Sequence, residues 1–149
     1  MKNNFLDDID LKILKLLQKD SRISIKSISE QVFVSQPTVS SRIDSLVKKG
    51  IIKGFYTEID NSVYDNVIKC YIQIEVSPTL KEELYEKIKN TPKVVECDRV
   101  TGEYSLIIKM IFNNTLEMDK YINEFQHYGR TKTQIIFSSI VPHRGVVLD

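Results

Sequence analysis

ISIKSISEQVFVSQPTVSSRIDSLVKKG, residues 23–50, reads as two short helices joined by a tight turn. The first spans about Ile25–Val32, with Ser24 placed so that its hydroxyl accepts from a backbone N–H left unpaired at the helix start. The second spans about Gln36–Lys49. Ser35 stands at its N-cap, and Pro37 falls in its first turn, where a missing N–H costs nothing. Lys48 and Lys49 suit the negative end of the helix dipole, and Gly50 supplies the residue that most readily ends a helix.

Within the second helix Val39, Ile43, Leu46 and Val47 recur at i, i+4, i+7 and i+8, one apolar stripe. The remaining face is small, hydroxyl-rich and basic, with Asp44 as its only acid. Short donors followed by cations suit a major groove. A solvated face is the alternative for any isolated helix, but two capped helices at helix–turn–helix spacing favour DNA. The candidate DNA contacts are Ser35, Gln36, Pro37, Thr38, Ser40, Ser41, Arg42, Ser45, Lys48, Lys49 and Lys53. Two roles stay open for Arg42: a base or phosphate contact, or an internal partner for an acid such as Asp10. The three lysines suit phosphates better than bases, and plain solubility charges are the competing reading.

Upstream, Leu6–Lys19 reads as a further helix. Ile9, Ile13, Leu14, Leu16 and Leu17 form its apolar face, and Asp7, Asp8 and Asp10 crowd the first turn, where negative charge is favoured. Three helices of this size must pool their apolar faces. Residues 1–50 therefore form a compact helix–turn–helix headpiece.

Downstream the period changes to two. Residues 51–66 read as an extended arm, Ile51–Asp60, closed by the turn-prone Asn61-Ser62 and Asp65-Asn66. A lone extended segment needs a partner strand, and the same arm of a second chain is one solution. Residues 67–149 then alternate strands and helices: Val67–Val76, helix Thr79–Asn90, Val94–Thr101, Tyr104–Phe112, helix Leu116–Tyr128 and Thr131–Val141. The order β-α-β-β-α-β predicts a ferredoxin-like antiparallel sheet of four strands with two helices on one face, so the fold class is α+β. The other sheet face is left open, and residues such as Tyr71, Val95, Cys97, Ile107 and Ile136 offer apolar side chains on both faces of several strands, which suits a dimer interface.

The net charge of +1 excludes a global basic field. Affinity for nucleic acid must come from a patch: Lys26, Arg42, Lys48, Lys49 and Lys53 outnumber Glu30 and Asp44 between Ser24 and Tyr56. Cys70 and Cys97 lack metal-type spacing and read as reduced core thiols. His127 and His143 are too isolated for a metal site, so neither metal nor cofactor is expected. No export signal or membrane-spanning run is evident, which places the protein in the cytoplasm.

Three stretches together resemble the leucine-responsive/asparagine regulator (Lrp/AsnC) family of bacterial and archaeal transcription regulators. They are LDDIDLKILKLLQKDSR at 6–22, VSQPTVSSRIDSLVKKGIIKGF at 34–55 and VVECDRVTGEYSLIIK at 94–109. The resemblance implies binding of double-stranded DNA through the helix–turn–helix, often with wrapping or bending. It also implies a homodimer, or a larger assembly of dimers such as an octamer, built through the sheet domains. A small effector, usually an amino acid, is implied where subunits meet, near the loop of Thr101, Gly102, Glu103, Tyr104 and Ser105. Two positions depart from the family pattern. Ser105 stands where an acidic residue commonly faces an α-ammonium group, and Phe33 stands where the turn often carries glycine. Two other readings of the scaffold remain: an architectural DNA-binding protein without effector, and an enzyme resembling sirohaem decarboxylases. The enzyme reading needs catalytic histidines or arginines in the sheet domain and no intact reading helix, the opposite of this chain.

Overall fold

The computed structural model describes residues 6–59, 67–141, 145, 146 and 148. The chain divides into two compact units, a helical headpiece and a sheet domain.

In the headpiece, α1 spans Asp8–Lys19, α2 Ile25–Val32 and α3 Gln36–Lys48. Ile13, Ile28, Val32 and Val39 are buried together, with Ile9, Leu16, Leu17 and Ile43 packed against them. The first helix starts later than its apolar pattern suggests, because Asp7 is its N-cap. The Asp7 side chain accepts from Asp10 N–H, and the Asp10 side chain accepts from Asp7 N–H. This reciprocal box satisfies two donors that would otherwise be unpaired. Ser24 and Ser35 cap α2 and α3 as their positions predict. At the far end of α3, Gly50 takes φ +69°, Gly50 N–H reaches Val47 O and Ile51 N–H reaches Leu46 O, each at 2.9 Å. That is a Schellman closure. Val47, placed on the apolar stripe, is instead exposed. It lies at the edge of the stripe, one position beyond buried Leu46.

Phe33 closes α2 in the left-handed region, φ 57° and ψ 43°. The turn thus keeps the left-handed geometry that glycine adopts freely, at a cost in strain for a bulky residue. The arm from Lys53 to Ile59 belongs to no strand, and Phe55, Tyr56 and Ile59 are exposed. The turns expected at Asn61-Ser62 and Asp65-Asn66 lie outside the described residues.

The sheet domain comprises β1 Ile68–Val76, a 3₁₀ turn Pro78–Leu80, α4 Lys81–Lys89, β2 Val94–Arg99, β3 Leu106–Phe112, α5 Thr115–Gln126 and β4 Gly129–Ile135. The strand order is β2-β3-β1-β4, with every pair antiparallel. Alternation puts Cys70, Ile72 and Ile74 of β1 and Leu106, Ile108, Met110 and Phe112 of β3 on one face, where Leu84, Ile88 and Phe125 from the helices cover them. Lys87 Nζ, 2.7 Å from Glu124 Oε2, ties α4 to α5.

Several boundaries shift from the sequence reading. Pro78 and the uncapped Ser77 start a 3₁₀ turn before α4. The β2–β3 connection occupies Val100–Ser105, so β2 stops at Arg99 and β3 starts at Leu106. Helix α5 starts at Thr115 because Asn114 caps it, accepting from Glu117 N–H at 2.8 Å. Strand β4 ends at Ile135, with one further bond from Ile136 N–H to Lys69 O. Phe137 beyond it is 98 % exposed.

Cys97 pairs with Ile108 and packs against the helix-covered core, in keeping with its reading as a core thiol. A register shift between Val94 and Glu96 interrupts the alternation of β2. Both cysteines are free, and burial pushes the Cys70 thiol up to about 11.

Candidate nucleic-acid interface and effector loop

Helix α3 divides by chemistry. Val39 and Leu46 are buried in the headpiece, while Pro37, Ser40, Ser41, Asp44, Ser45, Lys48 and Lys49 line one open surface. Gln36 and Thr38 are exposed at its start. Ser35 and Thr38 hydroxyls lie 2.8 Å apart, so each has a partner while remaining accessible. Among the described residues, Lys48, Lys49 and Lys53 make no ion pair.

Arg42 stands apart from this group. Its Nη1 lies 2.6 Å from Asp7 Oδ2 and 2.8 Å from Asp10 Oδ1, so the guanidinium joins α3 to both carboxylates of the α1 capping box. Backbone donation from Asp10, followed by the Arg42 contact, holds the Asp7 carboxyl below its ordinary value. Of the two roles open to Arg42, the internal one is occupied.

In the sheet domain, Thr101, Gly102 and Glu103 are exposed on the β2–β3 loop, and Tyr104 and Ser105 are half-buried. Gly102 takes φ +117°, a conformation that favours glycine, although an added Cβ would meet nothing within 4 Å. Among the described residues the backbone N–H groups of Thr101 to Tyr104 have no acceptor. Ser105 differs, since its N–H donates to Ile74 O at 3.0 Å. Its hydroxyl donates to Ile74 O at 3.1 Å and accepts from Val76 N–H at 3.2 Å. At the position where the family commonly places a charge, this side chain clips β3 to β1.

Arg130 of β4 was not among the residues singled out from sequence, yet it organises this corner. Its Nε lies 3.1 Å from Glu75 Oε2, its Nη2 meets Glu103 Oε1, and its guanidinium carbon sits 5.3 Å from the centre of the Tyr104 ring. The cross-strand pairing of Glu75 with Arg130 creates the contact. That register is not readable from either strand alone. His127 is exposed beside Tyr128, and His143 lies outside the described residues. Among the described residues no cluster of potential metal ligands occurs. No helix is long and apolar enough to cross a membrane.

Comparison with known proteins agrees with this arrangement. Residues 6–53 match a winged helix-turn-helix DNA-binding family, and residues 69–146 match the Lrp/AsnC ligand binding domain. The chain is 30% identical over 140 residues to the transcriptional regulator LrpC of Bacillus subtilis, covering 94% of this chain and 97% of that protein. The solved structure of LrpC superposes with a TM-score of 0.85, covering 93% of this chain and 99% of that one. The regulator Ptr1 of Methanocaldococcus jannaschii is 32% identical over 80% of each chain. The fold is shared with the Neisseria meningitidis NMB0573/L-Met complex, at a TM-score of 0.85, 19% identity and coverage of 93% of this chain and 94% of that one. With its helix–turn–helix headpiece and its four-stranded ligand-binding-type domain in the same order along nearly the whole chain, the protein belongs to the Lrp/AsnC family of DNA-binding transcription regulators.

Proposed function

We propose that α3 is the helix that enters the major groove of double-stranded DNA. One observation carries this reading: Gln36, Ser40, Ser41, Ser45, Lys48 and Lys49 lie outside the headpiece core that Val39 and Leu46 help to fill, leaving a polar and basic strip for an external partner. The hydroxyls and Gln36 read base edges, and Lys48, Lys49 and Lys53 meet phosphates. Arg42 leaves the reading set and becomes the strut that fixes α3 against α1. The protein acts in the cytoplasm, and we assign it no catalytic role.

The open sheet face, with exposed Tyr71 and half-buried Ile107 and Ile111, is the surface on which a second copy pairs. A dimer presents two α3 helices to successive major grooves, about one turn of duplex apart. An amino-acid effector fits the unpartnered N–H groups of Thr101 to Tyr104 through its α-carboxylate, the ligand class named in the NMB0573/L-Met complex. Ser105 supplies no charge for the ammonium group, and Glu75 and Glu103 already hold Arg130. That occupancy favours a second reading for comparison, an architectural protein that needs no effector.

Titration of the full-length protein against its own upstream DNA and an unrelated fragment, at two salt concentrations, separates these readings. Tight, salt-sensitive binding that prefers the upstream fragment supports the specific regulator. Equal binding to both, with marked bending, supports the architectural protein. Ser41→Glu places a negative charge on the proposed groove face, and a folded variant that still binds normally removes α3 as the reader.

A further inference from the structure

Phe33 departs from the undemanding choice twice. It is the one non-glycine residue with positive φ among the described residues, and its side chain is 89 % exposed. The turn itself requires the left-handed conformation. Phe33 N–H and Val34 N–H both donate to Ser29 O, which turns the chain so that Val34 packs on the headpiece core and Ser35 caps α3. Glycine or asparagine meets that requirement with less strain. The ring recovers nothing inside the chain, since it belongs to neither buried cluster and stacks on no aromatic or cationic group among the described residues. Strain retained under an exposed aromatic points to a contact made outside the chain.

Its position identifies that contact. Phe33 lies two residues before the Ser35 cap and three before Gln36, at the mouth of the helix that meets the groove. The apolar group that a major groove offers is the C5-methyl of thymine, and phenylalanine is among the side chains that pack on it. We infer that Phe33 is a specificity residue whose ring covers a thymine methyl at the edge of the α3 site. It supplies an apolar element of readout that the hydroxyl and lysine strip lacks. This inference rests on α3 being the groove helix.

The test uses the full-length protein and its tightest-binding fragment. Each thymine is replaced in turn by deoxyuracil, which removes only the methyl group, and Kd is measured for the native protein, Phe33→Gly and Phe33→Asn. Both variants tolerate the left-handed turn. One thymine per half-site is expected at which methyl loss weakens the native protein about fourfold, the factor for burying one methyl-sized group. The same replacement leaves both variants unaffected. The variants bind the unmodified fragment more weakly than the native protein but with the same salt slope, since no phosphate charge has been lost. Equal responses of native and variant proteins at every thymine overturn the inference, as does native affinity in Phe33→Gly. A change in assembly mass with unaltered DNA affinity also overturns it, placing the ring against a second copy. Ser41→Glu separates the two levels. Normal binding by that variant ends the α3 reading itself, whereas lost binding alongside a flat methyl series ends only the role of Phe33.

Discussion

The Nη1 atom of Arg42, in α3, lies 2.8 Å from Oδ1 of Asp10, in α1, and the same nitrogen reaches the N-cap carboxylate Asp7. A side chain on the helix that sequence reading assigns to DNA thereby becomes the brace between two helices. The pair is only partly screened, with the side chains 28% and 14% exposed. A double-mutant cycle of Arg42→Met and Asp10→Asn, read by urea unfolding, is expected to give a coupling of roughly 1 kcal/mol, the upper range for an ion pair near a surface. The DNA experiment distinguishes the two roles of Arg42. With the guanidinium already neutralised internally, the salt slope of binding stays unchanged in Arg42→Met, whereas loss of a phosphate contact lowers it by about one.

Acid should loosen the same end of the headpiece. Hydrogen bonding from Asp10 N–H, and then Arg42, lower the Asp7 pKa from its ordinary 3.8. A carboxylate with a lowered folded-state value contributes stability that is complete above its unfolded value. That contribution disappears as pH falls through the folded one. Thermal unfolding of the native protein and Asp7→Asn should therefore differ above about pH 4 and converge below the lowered value. A constant difference across that range would show that the Asp7 charge adds nothing.

Local chemistry was legible, and long-range partnership was not. Ser24, Ser35, Pro37 and Gly50 announce both helices of the motif because caps and closures depend on neighbouring residues. The alternation in β1 likewise fixes which side chains enter the core. In β2 the irregularity between Val94 and Glu96 interrupts that alternation, so its faces are less plain in sequence. Arg130 went unnoticed for a different reason: it gains meaning from Glu75, Glu103 and Tyr104, which only strand pairing and the loop bring to it. Arg42 left two partners open because sequence places a charge on a helix face without saying what faces it.

Ser105 gives a third prediction. Its hydroxyl is the acceptor for Val76 N–H and a donor to Ile74 O, both part-buried contacts. Ser105→Ala leaves the Val76 N–H without that acceptor and should cost about 1–2 kcal/mol in urea unfolding. Ser105→Thr keeps the hydroxyl and serves as the control. If alanine and threonine variants are equally stable, the clip between β1 and β3 is energetically idle.

Two glycines separate conformational cost from collision. Gly129 takes φ +154° opposite Val76 in the register, and a Cβ built there would stand 2.0 Å from Glu75 O and 3.0 Å from Glu75 C. Those atoms are backbone, so relief requires β1 and β4 to move apart where Ser77 N–H bonds to Tyr128 O at 3.0 Å. Gly102, at φ +117°, has open space around the added carbon. Gly102→Ala should therefore cost only the conformational penalty, about 1 kcal/mol, while Gly129→Ala should cost more than about 2 kcal/mol because strain and collision combine. Urea unfolding of the two variants checks the order. Equal losses would mean that the β1–β4 junction yields to the methyl group, and that the close approach at Gly129 is not what requires glycine there.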